Sequence, residues 1–121
     1  MAIANNALPR RGTTPTLTIM TDIDVSEFEY CEVTFVARQP AKSYPPEPAV
    51  VLTKTAPYVV CVRKSIIVTL TQEDTLQLGE NNPDIDATIE FQVRARDHTG
   101  SALASNIMLL TLGRILKGGV I

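Results

Sequence analysis

IDATIEFQVRAR, residues 85–96, decides the fold. Ile85, Ala87, Ile89, Phe91, Val93 and Ala95 share one parity, and Asp86, Thr88, Glu90, Gln92, Arg94 and Arg96 the other. Successive side chains of a strand point to opposite faces. Extended backbone here therefore offers one apolar face to a core and one polar face to water. A helix would scatter the same residues around its circumference.

Strand-like stretches with the same alternation lie on both sides. Downstream, DHTG at 97–100 is a tight connection with Gly100 suited to a positive φ. The chain then reverses into 101–112, where Leu103, Ser105, Ile107, Leu109 and Thr111 oppose Ala102, Ala104, Asn106, Met108, Leu110 and Leu112. Both parities become apolar toward its end. That pattern predicts a strand covered on both sides, by the core and by a neighbouring subunit. Upstream, GENNPD at 79–84 is a loop, and TQEDTLQL at 71–78 breaks the alternation. Thr71 followed by Asp74 resembles a capping box and predicts one helical turn. Residues 65–70, 58–63, 49–55, 30–38 and 13–21 read as further strands, with Pro15 marking the last as an edge strand. Short strands separated by turn signals, about seven in all, predict an all-β protein, a β-sandwich or small barrel.

Three segments do not join this pattern. Residues 1–12 form an N-terminal arm with little to bury. QPAKSYPPEP at 39–48 is a proline-rich connection whose prolines favour an extended conformation without internal hydrogen bonds. Tyr44, Pro45 and Pro46 would form its tip, a contact loop. GRILKGGVI at 113–121 is a tail bearing the apolar residues Ile115, Leu116, Val120 and Ile121. The sandwich itself is expected over residues 13–112.

With 121 residues the chain is long enough for one domain with its own core. It is 45% hydrophobic but 5% aromatic and lacks Trp, so that core must be aliphatic. The net charge of −2, with Lys and Arg dispersed, disfavours a nucleic-acid partner. No apolar run approaches the roughly 18 residues of a membrane span, and the first residues lack the basic and apolar regions of a signal peptide. A cytoplasmic or virion location is expected, without secretion by a signal peptide. Cys31 and Cys61 sit in apolar, strand-like surroundings and read as free, buried thiols, while a bridge between them would need neighbouring strands.

Catalytic chemistry finds little to work with. His98, the only histidine, falls in a turn with no local nucleophile and acid. With Cys31 and Cys61 it lacks the paired spacing of a zinc site. Asp22, Asp24 and Ser26 imitate the start of a calcium loop, but Glu27 and Val33 occupy the places of its glycine and its bidentate glutamate. Asn81, Asn82, Asp84 and Asp86 are the residues that turns use. No cofactor, metal or enzymatic activity is expected.

Three segments carry a resemblance: RGTTPTLTI at 11–19, VTLTQEDTLQL at 68–78 and SALASNIMLLTLGRIL at 101–116. Together they resemble a group of small proteins from phages and prophages of Gram-positive bacteria. The layout is also similar to the immunoglobulin-like N-terminal domain of phage baseplate upper proteins. That domain opens with an Arg-Gly or Gln-Gly turn and a Thr-rich strand and continues through a VTF strand, here Val33, Thr34 and Phe35. The chain departs from that family in its longer proline-rich loop and in lacking a receptor-binding extension after the domain. The resemblance implies an immunoglobulin-like antiparallel sandwich in a phage tail or baseplate, acting on other phage structural proteins within an oligomeric assembly. Ile107, Leu109, Leu110, Leu112, Ile115, Leu116, Val120 and Ile121 are the expected interface. Two alternatives are a host-surface or carbohydrate-binding module using Tyr30, Tyr44 and Tyr58, and a small effector that binds a host protein.

Overall fold

A computed structural model of the chain describes residues 2–3, 9–37, 49–79, 85–116 and 118–121. Two antiparallel sheets pack face to face. The first contains β1 (Ala2–Ile3), β2 (Thr16–Met20), β6 (Ser65–Thr69) and β5 (Val59–Val62), in that order. The second runs β4 (Val50–Lys54), β3 (Phe28–Ala37) and β7 (Ala87–Asp97), and β8 (Ala102–Ala104) and β9 (Met108–Leu112) share the far edge of β7. The all-β sandwich read from the alternation is therefore the architecture of the protein.

The parity of residues 85–96 becomes the sheet's two faces. Ala87, Ile89, Phe91, Val93 and Ala95 are buried. In register beside them on β3 stand Ala37, Phe35, Val33 and Cys31, also buried. Phe35 and Phe91 are cross-strand partners whose rings stack at 5.7 Å between centroids. Leu17, Ile19, Val59, Ile66 and Val68 close the core from the other sheet. Each such side chain contributes about 1.5–3 kcal/mol on full burial, which is how an almost wholly aliphatic core holds the sheets together. Strand β2 is bordered by β1 only at Ile19 and Met20. Alongside Thr16–Thr18 it is an edge among the described residues, so Pro15 interrupts no ladder.

The chain passes between sheets at one end through α1 (Gln72–Leu78), which is longer than the single turn expected. Its capping box is present: the Asp74 N–H donates to Thr71 Oγ1 at 3.1 Å, and the Thr71 N–H donates to Asp74 Oδ2 at 2.9 Å. Leu78 is driven into the core. Thr75 is wholly buried and ties the helix to the start of the sandwich. Its hydroxyl accepts from the Gly12 N–H at 2.9 Å and donates to the Thr13 carbonyl at 2.9 Å.

Residues 101–112 do not form one continuous strand. Arg94 pairs with Ala104, so a step of three residues to Phe91 should bring in Ile107; its partner is Met108. One extra residue is accommodated between the two pairings, a β-bulge. Ser105 closes it. Its N–H donates to the Val93 carbonyl at 2.8 Å, its Oγ accepts from the Val93 N–H at 3.0 Å, and its carbonyl accepts from Gln92 Nε2 at 2.8 Å. A one-residue shift exchanges the faces of every later side chain. Leu103 pairs with Ala95 but is still 37% exposed at the sheet edge, and after the bulge Met108, Leu110 and Leu112 take the inward side. After the bulge the even parity is buried, while Ile107 and Leu109 of the odd parity remain apolar and exposed.

Residues 9–12 and 113–121, read as separate arm and tail, meet each other. Arg10 bridges Gly113 in parallel, Arg11 N–H donates to the Gly113 carbonyl at 2.8 Å, and Gly113 N–H donates to the Pro9 carbonyl at 2.7 Å. Gly12 has φ +78°, and a Cβ there would stand 3.1 Å from Ile115 Cδ1. Glycine is needed at that crossing for both reasons.

Candidate interaction surface

The outer face of the five-stranded sheet is divided by composition. Near the 97–100 turn it is charged. Arg94 meets Glu32 at 3.5 Å, Arg96 meets Glu29 at 3.6 Å, and the Arg96 guanidinium lies 5.6 Å from the Tyr30 ring centroid. The Tyr30 hydroxyl donates to Glu32 at 2.9 Å, and this bond raises the phenol's pKa. Such exposed pairs stabilise little, about 0–1 kcal/mol each. They keep this half of the face solvated.

The other half carries exposed apolar side chains among polar ones. Val51, Val36, Glu90 and Leu109 form one row across β4, β3, β7 and β9. Val51 is 59% and Leu109 65% exposed. Ile107, 59% exposed, stands beside them over a shallow groove floored by Thr34, Val36, Glu90 and Gln92. Ile107 and Leu109 were expected on an interface from sequence. Val36 and Val51, which complete the patch, were not among the expected residues. Their signal was an apolar residue in the polar parity of its strand: Val36 between Thr34 and the end of β3, Val51 opposite it.

The remaining expected interface residues divide. Leu110 and Leu112 require correction: they are 7% and 2% exposed and face the sandwich core, because the bulge turns the even parity inward. Ile115 is half-buried at the Gly12 crossing. Leu116, Val120 and Ile121 project into solvent, with Leu116 at 94% exposure. Ile121 is nonetheless pinned: its N–H donates to Gln72 Oε1 at 2.8 Å, and Gln72 Nε2 donates to its carbonyl at 3.2 Å. The backbone of the tail is held to the body while Leu116, Val120 and Ile121 point away. The contact loop of Tyr44, Pro45 and Pro46 lies outside the described residues.

Polar residues considered for other chemistry serve the scaffold. Asp24 takes the Ser26 hydroxyl and N–H, and these bonds hold its carboxyl below the usual range. Asp97 does the same for Thr99 in the turn that also carries exposed His98. Asp86 accepts from the Arg114 N–H at 2.9 Å. Of the tyrosines, Tyr58 carries the Lys54 ammonium 4.0 Å over its ring and Tyr30 is held by Glu32 and Arg96. Neither ring is a bare platform for a sugar. Among the described residues no group of three or more His, Cys, Asp or Glu is placed to hold a metal ion, and no helix is long and apolar enough to cross a membrane.

Comparison of the chain with known protein families, with curated proteins and with solved structures returns no match.

Proposed function

We propose that this protein is a non-enzymatic structural or assembly component that works through protein–protein contact. The segment resemblance points to a phage tail or baseplate, and to an immunoglobulin-like strand arrangement in the sandwich. The observation that carries the reading is the outer sheet face away from the 97–100 turn, where Val51 and Val36 on one side of Glu90, Leu109 on the other and Ile107 over the groove between them leave large apolar side chains exposed. Large exposed apolar side chains grouped on one face of a folded domain point to an interaction site. The outward Leu116, Val120 and Ile121 offer a second apolar element on a pinned backbone.

The test is quantitative mass spectrometry of virions released by a strain that carries the gene. A fixed copy number relative to the major tail protein supports the reading, and absence from virions and from their assembly intermediates overturns it. A paired Val51→Glu and Leu109→Glu variant probes the surface. Incorporation should be lost while thermal stability stays near that of the parent, and undiminished incorporation would exclude this face as the contact.

A further inference from the structure

Cys31 and Cys61 belong to different sheets and meet at one end of the core. Cys31 is inward on β3, opposite Ala95, and Cys61 is inward on β5, opposite Ile66. Facing sheets normally stand about 10 Å apart, yet β3 and β5 close to within 8 Å between Cα atoms. Both cysteines are free. Both line a cavity that Phe28, Tyr30, Pro57 and Val59 complete and that opens to solvent. Each thiol lies close enough to shift the other's pKa. Small side chains, approaching backbones and a solvent route coincide at one point of the sandwich.

We infer that Cys31 and Cys61 are a modification site, a dithiol that low-molecular-weight disulfides oxidise to an intersheet disulfide. Cys61 is the attacking residue. It is the more exposed of the two. The neighbouring Cys61 sulfur and burial hold Cys31 protonated, and the Cys31 thiol beside it favours the Cys61 thiolate. The Cys61 thiolate attacks one sulfur of the reagent, RSSR, forming Cys61–S–S–R and releasing RS⁻, which takes up a proton. Cys31 then loses its proton to solvent, attacks the Cys61 sulfur and expels the second RS⁻. Two protein thiols are oxidised to one disulfide and RSSR is reduced to two RSH. The bond closes the chain from β3 to β5 and removes conformations from the unfolded state.

The experiment incubates the full chain with oxidised glutathione and follows intact mass and thiol content. The expected product has lost two hydrogens, carries no glutathione and yields one linked peptide pair containing Cys31 and Cys61. It melts about 10 °C above the reduced protein, and the difference vanishes on reduction with dithiothreitol. Cys31→Ala should trap a glutathione adduct on Cys61, because the resolving thiol is gone. Two thiols that stay free in the folded parent, a stable glutathione adduct on the parent, or a dimer linked between chains would each overturn the assignment.

Discussion

Replacing Lys54 with methionine removes one charge from the least solvated ion pair in the described structure. Lys54 Nζ lies 2.8 Å from Asp74 Oδ2, and the two side chains retain only 10% and 11% of their accessible surface. The ammonium also rests 4.0 Å above the Tyr58 ring. Methionine preserves most of the aliphatic stem but leaves the Asp74 carboxylate buried, with the Thr71 N–H as its remaining close donor. Breaking a buried pair from one side costs about 3–5 kcal/mol, chiefly because the surviving charge is uncompensated. In a domain of this size that lowers the melting temperature by roughly 10–15 °C.

The pH dependence separates this mechanism from lost packing. Burial raises the Asp74 pKa, but the hydrogen bonds from Lys54 and Thr71, with the Lys54 charge, outweigh it and hold the carboxyl below its ordinary value. A depressed folded-state pKa stabilises above the unfolded-state value, about 3.9 for Asp. That contribution is lost as pH falls through the folded-state value. Without Lys54, burial is opposed only by the bonds to Thr71, so the carboxyl's pKa rises from its value in the parent and protonation in acid relieves the variant. The stability gap between parent and K54M, measured by urea unfolding, should narrow steadily from pH 7 to pH 3. Adding Asp74→Asn to K54M should recover at least half of the loss at pH 7. A loss under about 1 kcal/mol at pH 7, or a gap that does not change with pH, would refute the reasoning.

Thr75→Val should cost about 1–3 kcal/mol by the same assay, since it takes the buried hydroxyl partner from the Gly12 N–H and the Thr13 carbonyl. Hydrogen exchange at the Gly12 amide should accelerate with it. The bulge makes neighbouring leucines unequal: Leu110→Ala should cost about 2–4 kcal/mol, whereas Leu109→Ala should stay within about 0.5 kcal/mol. Equal costs would mean that the register after Ser105 is wrong.

Local regularities were legible without a structure. The alternation at residues 85–96 needs only the two-residue repeat of a strand, and Ala87–Asp97 is the central strand of its sheet. Thr71 and Asp74 cap their helix through bonds spanning three residues, so the motif is complete within its own sequence. Half of the candidate surface was also visible, in Ile107 and Leu109. Leu110 and Leu112 were placed on the interface together with Leu109, although the two parities face opposite ways; which one turns inward is set by a bulge that costs one residue and has no composition of its own. Ser105 is an ordinary polar residue in a strand until Val93 lies across from it. Val36 and Val51 become a patch only when β3 and β4 pair in register. Lys54 of β4 reaches Asp74 of α1 with the whole of β5 and β6 between them in sequence, and Cys31 reaches Cys61 across the core. Period and capping act between near neighbours along the chain and are written there. Register, ion pairs and thiol contacts depend on how distant strands stack, so the packing of the two sheets decided them.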